Sequence, residues 1–177
     1  MLWLVDSVTL QTFGTIEALS TLVSFLDPKQ PSAWTVGVRD EVLAGIEHEG
    51  CQEVLRCAEL GAPLQVPDSL TMSVHTARVA LGGTALDKLH QGEAECLVLA
   101  TEYGGGVITD DSAAYAMIRR RGRPPVLDTV EVLRELVRSE QIDAYTAKRL
   151  VDALKGAGRN LRRGYPSTFT VNDFMPR

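Results

Sequence analysis

Three short apolar runs in this chain end in acid: "LWLVD" at Leu2–Asp6, "VITDD" at Val107–Asp111 and "VLD" at Val126–Asp128. Runs this short, closed by a residue that starts helices, read as buried strands feeding directly into helices. The segments after them carry apolar residues three and four apart, as in Phe13, Ile16, Leu19, Leu22, Val23 and Leu26. Strand alternating with helix predicts an α/β domain with a mainly parallel sheet. Two further runs, Trp34–Val38 and Leu64–Val66, read as additional strands, which brings the sheet to four or five. Helical spacing is expected from Ser7 to Phe25 with a division at Gly14, and from Glu41 to Leu60 with a break near Gly50. It recurs over Ser69–Leu81, Leu86–His90, the stretch opened by Gly92, the stretch opened by Asp110-Asp111-Ser112, the stretch after Thr129, and Ala144–Leu154. One domain over residues 1–155 is expected. Residues 156–177, with Arg159, Arg162, Arg163 and Pro166, read as a basic, loosely structured tail.

In an open parallel sheet, ligands gather at the carboxyl ends of the strands. Asp6, Asp110, Asp111 and Asp128 all fall there, and Glu93 and Glu95 open the helix before the strand at Val107. Singly, each has an ordinary explanation: aspartate caps helices, and glutamate in a first turn suits the helix dipole. A doublet exceeds what one cap needs, and recurrence at successive strand ends points to a shared site. The three histidines are scattered and the three cysteines, Cys51, Cys57 and Cys96, show no CxxC spacing. An oxygen-only donor set is therefore expected, which suits Mg²⁺ or Mn²⁺. The formal net charge of −5 argues against a generally basic nucleic-acid binder. Unpaired cysteines, a poor signal sequence and the lack of a long apolar run point to a cytoplasmic protein without a membrane span.

"LWLVDS", "GEAECLVLA" and "VITDDSAAYAMIRRRG", in this order and spacing, resemble a PIN domain. The resemblance is closest to a PIN-like group with a G-E-x-E motif, related to VapC-type toxin ribonucleases. It implies a three-layer α/β/α fold, with three or four acids at one sheet edge holding Mg²⁺ or Mn²⁺. It implies metal-dependent hydrolysis of RNA, with Asp6, Glu93, Asp111 and Asp110 as catalytic acids and Glu95 as a further metal ligand. Ser7 and Thr109 would support those ligands through hydrogen bonds. The second acid of the family falls on Gly45 in the best register, with Glu41 one turn earlier as its substitute. Asp128 stands where the group often has glycine, and would add an acid or cap a helix.

The resemblance also implies a homodimer and an antitoxin protein as partners, beside RNA itself. "RRRGR", which contributes Arg119, Arg120, Arg121 and Arg123, reads either as a solvated helix end or as a phosphate-contact strip. Lys148, Arg149, Lys155, Arg159, Arg162 and Arg163 form a more dispersed basic region. The stripe Phe13, Ile16, Leu19, Leu22 and Val23 reads as core before it reads as an interface. A competing reading, motivated by Gly45, is a catalytically degenerate PIN scaffold that binds RNA or a protein without cleaving. A phospho-acceptor receiver domain fits poorly, because the acidic doublet follows a late strand and "PPVLDT" offers no lysine.

Overall fold

A computed structural model describes residues 1–27, 29–30, 32–83, 90–159, 161–162 and 164–175. Strand β1 (Trp3–Val5) runs straight into helix α1 (Ser7–Thr15), followed by α2 (Leu19–Phe25), α3 (Val36–Ala44), α4 (Glu49–Arg56) and α5 (Thr71–Ala80). Helix α6 (Gln91–Glu102) then leads to β2 (Gly106–Ile108), α7 (Ser112–Arg121), β3 (Val126–Leu127), α8 (Thr129–Arg138) and α9 (Ala144–Gly156). A 3-10 turn at Val171–Phe174 closes the chain. The expected helical segment Leu86–His90 falls mostly outside the described residues.

The described sheet has three parallel strands in the order β1-β2-β3, fewer than the four or five expected. The difference lies in Trp34–Val38. Thr35 accepts the amide of Val38 at 3.2 Å and starts α3, so the β-branched run becomes a helix. What remains of strand character is Val5 N–H donating to Ala33 O, and an isolated parallel bridge between Thr35 and Leu64. Leu64–Val66 is reduced to that one bridge.

Gly14 does not divide the first helices. It lies inside α1, where a paired glycine lets the backbones of α1 and α4 touch: a Cβ on Gly50 would stand 2.5 Å from Gln11 O. The division comes at Glu17, whose φ is 53°. Phe13 and Leu22 are fully buried, Leu19 is buried, and Ile16 and Val23 pack against the core, so the stripe is core.

The C-terminal residues depart from the expected loose tail. Phe169 and Phe174 are buried and stack on each other with ring centroids 5.6 Å apart. Lys155 donates to the carbonyls of Pro166 and Ser167 and lies over the Phe169 ring. Arg159 reaches Thr15 of α1 at 2.8 Å. Lys155 and Arg159 of that dispersed basic region therefore tie the chain end down, whereas Lys148 pairs with Asp152 within α9 and Arg163 lies outside the described residues.

Candidate functional site

Strand register assembles the site. Val5 pairs with Ile108 and Ile108 with Leu127, so Asp6, Thr109 and Asp128 stand one step beyond the ladder on three neighbouring strands. Asp6 N–H donates to Ile108 O and Thr109 N–H to Leu127 O, extending the ladder to that edge.

Asp6 is fully buried and caps α1, accepting the Thr9 amide at 2.7 Å. Its other oxygen accepts the Thr109 hydroxyl, across 103 residues of sequence. The same Thr109 oxygen accepts Asp111 N–H at 3.1 Å. Thr109 is thus a clamp between Asp6 and the second half of the doublet. Asp111 caps α7 through the Ala114 amide.

The doublet divides its work. Asp111 lies near enough to Glu93 to raise its pKa. Asp110 turns to α8, accepting the amide of Thr129 at 3.0 Å and its hydroxyl at 2.6 Å. The Asp110 amide in turn donates to Thr9 Oγ1 at 3.1 Å. Asp110 therefore fastens the edge together, and Thr9 and Thr129 are partners that the sequence reading passed over. A threonine three residues after Asp6, and another directly after Asp128, were the available signals.

Glu41 and Glu95 make a reciprocal exchange between α3 and α6. Glu41 Oε1 accepts the Gly92 amide of α6 at 2.8 Å, and Glu95 Oε2 accepts the Gly37 amide of α3 at 2.7 Å. Each helix start is satisfied by a carboxylate from the other. A Cβ at Gly92 would stand 2.7 Å from Glu41 Oε2, so a larger residue there would displace the Glu41 carboxylate. The second oxygen of Glu41 accepts Ser7 Oγ at 2.6 Å, and that of Glu95 accepts Gln91 at 2.7 Å. Glu41 also raises the pKa of Glu93, so it belongs to the edge. Gly45 is simply the C-cap of α3, where a Cβ would meet Cys51 Sγ at 3.0 Å.

Asp128 is occupied elsewhere. It forms a capping box with Glu131, accepts Arg162 Nε at 2.5 Å, and accepts the Tyr165 hydroxyl at 2.8 Å. Arg162 lies over the Tyr115 ring at 4.0 Å, and the Asp128 carboxylate holds its guanidinium above the ordinary range despite burial. The run Arg119–Arg123 sits at the far end of α7, about 15 Å from its acidic start at the α-helical rise.

Burial pushes Asp6 up to about 8, more than its threonine hydrogen bonds lower it, with Glu93 adding to the rise. Burial also pushes Glu93 up to about 7, reinforced by the neighbouring Glu41 and Asp111. Asp110 is pushed up to about 6 by burial, with Asp128 adding to it, and Glu41 is raised by burial as well. Carboxylates crowded in this way repel one another, and a cation among them reverses the effect. Among the described residues, no group of three or more His, Cys, Asp or Glu side chains could hold a metal ion as the side chains stand. The donor chemistry of Asp6, Glu41, Glu93 and Asp111, all carboxylate oxygen, nevertheless suits a hard divalent ion.

Three parallel strands with helices between them, and buried acids at the carboxyl edge, place the molecule in the α/β class. The chain belongs to the PIN domain family: a family profile described as a PIN domain matches residues 2–167. PIN domains are generally nucleases, and PIN nucleases generally use divalent metals. No curated protein and no solved structure matches the chain. Among the described residues, no helix is long and apolar enough to cross a membrane.

Proposed function

We propose that this protein is a metal-dependent endoribonuclease that hydrolyses RNA phosphodiester bonds at the edge built by Asp6, Glu41, Glu93 and Asp111. The observation that carries this reading is the Thr109 clamp, which joins Asp6 to Asp111 beside Glu41 and Glu93, whose pKa values burial raises. Mg²⁺ or Mn²⁺ held there would polarise the phosphate, lower the pKa of a bound water and neutralise the acids. Thr109 fixes the rotamer of Asp6, and Ser7 with the Gly92 amide fixes Glu41. Glu93, pushed up to about 7 in the metal-free edge, would give up its proton to a bound cation's field and serve as an oxygen ligand. Asp110 and Asp128 keep the start of α8 in place beside the edge, and Glu95 keeps the start of α3.

Arg119, Arg120, Arg121 and Arg123 would meet RNA that runs several nucleotides beyond the edge. The G-E-x-E pattern and its VapC-like setting extend the proposal to a cytoplasmic toxin, acting as a homodimer and restrained by an antitoxin protein. The second reading is a degenerate scaffold that binds without cleaving, favoured by the absence of a closed acid cage among the described residues. Calorimetric titration of EDTA-stripped protein with Mn²⁺, followed by a cleavage assay on single-stranded RNA, separates the two. The nuclease reading expects binding and cleavage that Asp6→Asn and Asp111→Asn both lose while remaining folded. A wild-type protein that neither binds Mn²⁺ nor cuts RNA belongs to the scaffold reading.

A further inference from the structure

Glu41 has two neighbours. On one side it faces the acid edge through Ser7 and Gly92, and on the other it lines a cavity of about 500 Å³ between α3 and α6. The cavity has apolar walls at Val36 and Ala44 and a polar partition of Arg78, Gln91 and Glu95. Behind that partition lies a second void of about 320 Å³, reaching Val74 and His75. The first volume falls within the range of small-ligand sites, roughly 300–1,000 Å³.

The partition is wired in one direction. Arg78 Nη1 donates to Gln91 Oε1 at 3.0 Å, Gln91 Nε2 donates to Glu95 Oε1 at 2.7 Å, and Glu95 Oε2 receives the Gly37 amide. Each group has its orientation fixed by the next, so the partition presents a set pattern of donors and acceptors. Its charge identifies what kind of ligand suits it. Among the described lining residues, Asp40, Glu41 and Glu95 outnumber Arg78, which denies the cavity the positive excess that a phosphate needs and favours a ligand edge that donates hydrogen bonds. A flat, uncharged ligand with a hydrogen-bonding edge fits both the walls and the partition.

We propose that this cavity is a nucleobase subsite, holding the base of an RNA nucleotide next to the one whose phosphate is cut. The inference rests on the nuclease reading of the acid edge. A base seated against Glu41 lies beside the acid edge, because Glu41 lines the cavity and also neighbours Ser7, Gly92 and Glu93. The subsite gives the enzyme a preference for certain bases near the cleavage point, which the acid edge alone cannot supply.

The test is titration of the metal-free, full-length protein with uncharged nucleosides, each of the four in turn, followed by amide NMR. At least one nucleoside is expected to shift the amides of Gly37, Ala44 and Gln91. Ala44→Trp, at an exposed position on the cavity mouth, should weaken that binding about tenfold or more. Gln91→Ala should change the order in which the four nucleosides bind, and Asp6→Asn should leave binding intact. No shifts with any nucleoside, shifts unaffected by Ala44→Trp, or equal shifts with ribose 5-phosphate would each overturn the subsite. Nucleoside binding by a protein that cuts no RNA retains the subsite and removes the nuclease reading. Cleavage without nucleoside binding does the reverse.

Discussion

At Asp6 a single carboxylate does three jobs: it caps α1, receives Thr109, and lies with Glu93 at an edge where burial disfavours charge. An asparagine keeps the cap and removes the charge. Asp6→Asn should therefore fold, resist heat at pH 8 at least as well as the metal-free wild type, and lose Mn²⁺-dependent stabilisation, as differential scanning calorimetry would show. The titration of these acids sets a pH dependence with a definite sign. In the unfolded chain they lose protons near pH ~4, whereas Asp110, Glu93 and Asp6 keep theirs to about 6, 7 and 8 when folded. Between those limits the unfolded chain binds fewer protons, so metal-free stability should fall as pH rises from about 4 to 8. Urea midpoints measured across that range, with and without Mn²⁺, would show the decline and its relief; a rising metal-free midpoint would contradict it. Thr109→Val removes the clamp and leaves every carboxylate in place, and should weaken Mn²⁺ binding about 10- to 100-fold, as loss of a ligand's supporting hydrogen bond usually does.

Helix starts are the elements on which the site depends. Asp6, Asp111 and Asp128 each cap a helix with their own side chains, while Glu41 and Glu95 cap each other's helices across the α3–α6 contact. Capping and site-building are therefore not rival explanations at Asp6, where one carboxylate oxygen serves the helix and the other receives Thr109. This duality is why Asp6 and Asp111 could be read from sequence: a strand end followed by a capping acid is a local signal. The exchange between Glu41 and Gly92 spans 51 residues and leaves no local trace, so the sequence offers Glu41 only as the same-face substitute for Gly45. Trp34–Val38 failed for a related reason. Its β-branched residues favour a strand, but Thr35 and the carboxylate of Glu95, far along the chain, satisfy a helix start instead. Asp128 illustrates the third case, a strand-end acid neutralised by the chain's own arginine. Arg162→Ala would leave that buried carboxylate with only its neutral partners, and should cost about 3 kcal/mol in denaturant unfolding. Replacing both residues together should cost less than the sum of the single losses.

For the whole molecule, the fold extends past the last long helix. Phe169 and Phe174 fill space beside α8 and α9, and truncating large buried aromatics to alanine typically costs about 3–5 kcal/mol each. A chain ending at Gly156 should therefore unfold cooperatively at markedly lower denaturant than the full chain, and a midpoint within error of wild type would show the end to be dispensable. The central strand β2 has further consequences. It is the only link between β1 and β3 in the described sheet, and it enters after more than half the residues have been laid down. A growing chain that already carries Asp6, Glu41 and Glu93 has neither Thr109 to orient the first nor Asp111 to complete the edge. Assembly of the acid edge therefore waits on the second half of the chain, because Asp6 has no partner across the sheet until Thr109 has been added.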